Sequence, residues 1–135
     1  MLAINPTLVK FGAKQWPDVT LVAIDRTATR LAADWTDTGP HPTFVDAPEQ
    51  RTEIKVVRAV MRDDLDDPRP GQIGTLTFHA SPGGTDAGRV RISVNAVVAA
   101  VRHEFTAKGA SRIVQLLAVS PDGATDPVTI SGDEP

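Results

Sequence analysis

Cysteine and tyrosine are both absent from this 135-residue sequence. Without thiols there is no disulfide framework, no thiolate metal site and no cysteine nucleophile. The other aromatics are scarce, four Phe and two Trp, whereas a stacking surface for sugars or single-stranded nucleic acid usually has more. Positive charge is not in excess: 14 Lys and Arg stand against 17 Asp and Glu, a formal net charge of −3. That balance argues against a strong basic field for gripping nucleic acid. No apolar run approaches the roughly 18 residues of a membrane-spanning helix. The opening residues MLAINPTLVK have no basic stretch leading into an apolar one. No secretion signal is therefore expected, and the chain is expected to be made in the cytosol.

Apolar residues make up 41% of the chain, enough for one core, and the length suits a single domain over residues 1–135. Ten Gly and eleven Pro cut the sequence into short pieces, the pattern of a β-rich fold with many turns. TLVKF (Thr7–Phe11) and DVTLVAI (Asp18–Ile24) alternate and are rich in β-branched residues, so they read as a hairpin joined through GAKQWP. In DRTATRLAADW, Ala28, Leu31, Ala32 and Trp35 fit one face of a short helix that Asp25 could cap. The next stretch, Thr36–Arg51, carries three prolines and reads as a long, semi-rigid loop.

TEIKVVRAVMR (residues 52–62) fits two periods. Ile54, Val57 and Met61 align at helical spacing, behind a capping-box pattern at Asp46 and Glu49. With alternation, Ile54, Val56 and Val60 share a face that Arg58 interrupts, and Glu53 and Lys55 begin the other. Strands on both sides decide for a strand, expected to pair with Ile73–Ala80 across the acidic run Asp63–Asp67. In Ile73–Ala80 itself, Leu76, Phe78 and Ala80 alternate with Ile73, Thr75, Thr77 and His79. Further strands are expected in RVRISVNAVVAAVRHEF, in Arg112–Ser120 and in VTI near the end. The fold class expected is mainly β (α+β): an antiparallel β-sandwich or barrel with one short helix and long loops.

No catalytic or metal pattern emerges. His41, His79 and His103 have no ligand spacing, and RHEF is not HExxH. Asp63–Asp67 lacks the Gly and Glu positions of a calcium loop. SPGGTDAG lacks the GK[ST] ending of a phosphate loop, and no serine sits in a GxSxG context. Arg89, Arg91 and Lys55 form a short basic row without interleaved aromatics, which suits a solvated or subunit-contact face. No cofactor, metal or catalytic residue is expected.

The segments TEIKVVRAVMRDDLDDPRPGQIGTLTF and NAVVAAVRHEFTAKGASRIVQLLAVSPDGATDPV, a strand after a long N-terminal loop and then strand–turn–strand, resemble tail-tube proteins of tailed bacteriophages. The ring protein of type VI secretion systems shares that fold. The resemblance implies a virion structural protein. Its copies would form hexameric rings with joined sheets, stacked into a tube through which double-stranded DNA passes without specific binding. Other tail proteins (sheath if contractile, baseplate, terminator) would be its partners. An acidic balance suits such a conduit, since like charge discourages sticking. The loop Thr36–Arg51 is expected to touch another subunit, with Trp35, His41, Phe44 and Val45 as contact residues. The alternatives within the tail are a terminator or baseplate protein. Outside it stand a monomeric carbohydrate- or ligand-binding β-sandwich, disfavoured by the few aromatics, and a small hydrolase with a carboxylate pair.

Overall fold

A computed structural model describes residues 7–60, 68–80 and 90–132 of the chain. Eight strands follow in order: β1 (Thr7–Phe11), β2 (Lys14–Gln15), β3 (Val19–Trp35), β4 (Pro42–Val60), β5 (Ile73–Ala80), β6 (Val90–Thr106), β7 (Gly109–Ala118) and β8 (Val128–Gly132). All pairings are antiparallel, within one sheet of order β2-β1-β5-β6-β7-β4-β3, and β8 pairs with β6 beside this path. The mainly β class holds.

The sheet has to roll up. Its outermost strands, β2 and β3, are joined by Trp16–Asp18 alone. Four Cα steps from Gln15 to Val19 reach at most about 14 Å. Laid flat, the six spacings across the seven-strand path would need about 29 Å. A tight connection between the two outermost strands therefore curls the sheet into a barrel-like wall. Asp18 takes a left-handed φ of 60° as the chain turns there, a conformation Asp tolerates better than most residues. Its carbonyl accepts a hydrogen bond from the Ala59 amide.

Alternation puts one face of every wall strand inside. Ile54 and Val56 of β4, Leu76 and Phe78 of β5, Val94, Ala96 and Val98 of β6, and Val114 and Leu116 of β7 are all buried. Val9, Trp16 and Val128 complete the same cluster. Trp16 plugs the seam. Its ring stacks on Phe11 with centroids 5.4 Å apart, and the Arg112 guanidinium lies 5.4 Å from its centroid. Phe11 in turn covers Gly74, where an added Cβ would come within 3.2 Å of the Phe11 ring. A side chain at 74 would compete for the space that the ring fills.

One end of the interior is polar. Arg58, Arg112 and His103 lie in one register line across β4, β7 and β6. Both arginines are buried and both are engaged by other groups of the chain. The Trp16 ring offsets part of the cost of burying Arg112.

Four expectations need correction. The helix over Asp25–Trp35 is strand β3: its apolar spacing is helical, but its backbone is held by a partner remote in sequence. Residues 36–51 are not one loop. The turn is confined to residues 36–41, and β4 begins at Pro42. Thr7–Phe11 pairs with β2 and β5, while Val19–Trp35 pairs with β4. Residues 52–60 are strand, but their partners are β3 and β7, not Ile73–Ala80. Met61, Arg62, Asp63–Asp67, SPGGTDAG and Arg89 lie outside the described residues.

Candidate assembly surface

β3 and β4 are much longer than the wall requires. β7 pairs with β4 only from Glu53 to Val60. Beyond that, from about Asp25 to Thr52, β3 and β4 pair with each other alone among the described residues. They form a two-stranded arm. Nine residue steps from Arg26 to Trp35 span about 30 Å at strand rise. Register slips between Ala28 and Arg30, between Arg30 and Ala32, and between Asp34 and Trp35. Such bulges bend and twist a ribbon. Pro48 falls in one of the slips, where it interrupts no regular ladder.

The register near the tip sorts its side chains. Ala33 opposes Val45, and Leu31 and Trp35 share that face by alternation in β3. Asp34 opposes Phe44 and Ala32 opposes Asp46, so the other face carries Phe44 between two carboxylates. Leu31 is 64% exposed, Trp35 59%, Phe44 56% and Val45 54%. A two-stranded ribbon has no interior in which to bury these groups. The Trp35 Nε1–H donates to the Pro40 carbonyl at 3.2 Å and pins the turn. Trp35, His41, Phe44 and Val45 are thus brought together at one end of the arm, with His41 exposed in the turn and Trp35 and Phe44 on opposite faces.

The arm is braced at its root. Arg26 donates to Asp126 at 2.8 Å, a contact between residues 100 apart in sequence. Asp126 also accepts from the Val128 amide at 3.0 Å. That amide, then Arg26, holds its carboxyl below the ordinary 3.8. Asp122 organises the same loop. It accepts from the amides of Ala124 and Thr125 and from the hydroxyls of Ser120 and Thr125. Those bonds, the backbone ones first, hold its carboxyl far below 3.8. Gly123, with φ 76°, makes the sharp turn they require. Between loop and arm root lies a cleft of about 430 Å³ lined by Arg26, Gln50, Thr52, Ser120 and Asp126 among others.

Both folded pKa values lie below the unfolded ones. The stabilisation is therefore complete above about pH 3.8 and lost as pH falls through the folded values. In an NMR acid titration, the amides of Ala124, Thr125 and Val128 should shift with midpoints below 3.8. Midpoints at or above it would refute the bracing.

The outer face of the wall carries two apolar lines. Leu21, Val57 and Ile113 lie in one outward register line across β3, β4 and β7, and Ile73, Val97 and Leu117 form another across β5, β6 and β7. Leu21 is 45% and Ile73 71% exposed. The length and prolines of residues 36–51 pointed to Phe44 and Val45 as contact residues. The sequence reading missed Leu31, which the helical spacing turned inward, and the Arg26–Asp126 brace, for which residues so far apart give no local signal.

No protein-family model and no curated protein sequence matches the chain. Among the described residues no group of three or more His, Asp or Glu could hold a metal ion, and no helix is long and apolar enough to cross a membrane.

Proposed function

We propose that the chain is a structural subunit that assembles with copies of itself, as a tail-tube protein does, into stacked rings enclosing a conduit for double-stranded DNA. The observation that carries the reading is the braced arm with apolar groups on both faces of its tip. A lone monomer would keep that surface in water, whereas an assembling subunit covers it. The outward apolar lines on the wall support the same reading. An arm that meets a different surface of the next copy makes a head-to-tail contact, and such contacts close into rings or extend into filaments. In this role the protein has no catalytic step, cofactor or metal, and its place is the virion tail.

Size-exclusion chromatography and electron microscopy of the concentrated protein test the reading. Rings or tubes are expected, with sixfold symmetry and a lumen wide enough for duplex DNA. A persistent monomer would reject it, and location at one end of a tail would favour a terminator or baseplate role. Adding EDTA should leave the melting temperature unchanged. A drop reversed by a divalent ion would reopen His41, His79 and His103 as ligands.

A further inference from the structure

We infer that the Phe44 face of the arm docks on the outer wall of a second copy, around Lys55. The inference rests on the self-assembly reading and adds the partner surface. Its basis is complementarity in both shape of charge and apolar content. Residues 31–48 contain Asp34, Asp37 and Asp46 and no Lys or Arg. Asp34 and Asp46 flank Phe44 on one face, and neither carboxylate has an ion pair among the described residues. The docking face is therefore an exposed ring between two uncompensated negative charges.

The wall offers the opposite arrangement. Lys55 points outward from β4, between Ala23 of β3 and Gln115 of β7 in register. On one side of it the next outward line is Leu21, Val57 and Ile113, ending at Arg102 on β6; on the other are Asp25 and Glu53, the latter held by Arg51 at 3.1 Å. Lys55 is exposed and has no ion pair among the described residues. Arg102 holds Glu104 at 3.0 Å but is 73% exposed, so its guanidinium remains open to a second carboxylate. An apolar patch beside two cations thus matches a Phe between two carboxylates. Phe44 and Lys55 lie eleven residues apart on the single strand β4, about 36 Å at strand rise, so the partner that brings these surfaces together is another copy. Charges at an apolar contact chiefly fix its register and exclude wrong partners.

Charge reversal in the full-length protein tests this. The Asp34→Lys, Asp46→Lys double variant and the Lys55→Glu variant should each raise the concentration needed for assembly about tenfold or more. All three changes together should restore it to within about threefold of wild type. Sedimentation velocity reads the assembly, and circular dichroism confirms that each variant folds. A photo-crosslinking residue in place of Phe44 should mark β4 or β7 of a second copy. If wild type assembles and the reversals change nothing, or the crosslink stays within one chain, this contact is wrong and self-assembly stands. A wild type that never assembles overturns both.

Discussion

Replacing Trp35 and Phe44 together by alanine is expected to raise the concentration required for assembly by more than about tenfold, while the barrel stays folded. Both residues are more than half exposed at the arm tip and remote from the buried cluster. Exposed sites change folding stability little, so the melting temperature should stay within about 4 °C of wild type. Buried aromatic anchors, by contrast, dominate many interfaces and cost about 2 kcal/mol or more each when truncated. The two rings lie on opposite arm faces, so the double variant strips both. Trp35→Phe separates two roles, because it keeps a ring but loses the Nε1–H donor to Pro40. Normal assembly of Trp35→Phe would assign the effect to apolar contact, not to the turn. A double variant that assembles like wild type would remove the tip from the interface.

The second large effect is expected inside. Trp16→Ala should destabilise the fold by about 3–5 kcal/mol, the usual cost of removing a large buried ring. That is a major share of the roughly 5–15 kcal/mol holding a domain together. Trp16 is 3% exposed and sits on the short connection that brings the outermost strands together. Its loss opens a cavity, unstacks Phe11 and takes the ring from the Arg112 guanidinium. Trp16→Phe should cost clearly less. Urea unfolding followed by far-ultraviolet circular dichroism measures this without relying on tryptophan fluorescence. An unchanged midpoint would show that Trp16 does not hold the seam.

The wall was legible in the sequence where alternation met one-sided burial. Leu76 and Phe78 of β5 are buried as their spacing implies, and Ile54 and Val56 of β4 likewise. Arg58 occupies the same alternating face and does point inward; its charge made it read as an interruption. The arm was illegible for a different reason. A ribbon exposed on both faces has no polar–apolar alternation to detect, so Ala28, Leu31, Ala32 and Trp35 fell by composition into a helical spacing. Its prolines suggested a loop, although Pro42 opens β4 and Pro48 occupies a bulge, where a missing amide breaks no regular ladder. Strand partners were the least readable feature. The four contact residues named from sequence do gather at the tip, but the wall patch around Lys55 depends on a register that only the folded sheet supplies.

β3 and β4 run from the wall into the arm as the same two strands, with no hinge loop between them. The consequence is mechanical. Ladder hydrogen bonds lie crosswise to their strands, so a pull on the tip draws β4 lengthwise along β7 and loads the ladder from Glu53 to Val60 together in shear instead of peeling it one bond at a time. The Arg26–Asp126 brace resists sideways swing at the root. Whatever grips the tip therefore pulls on the barrel itself, and the arm serves as a tie rod able to carry tension from one body to the next.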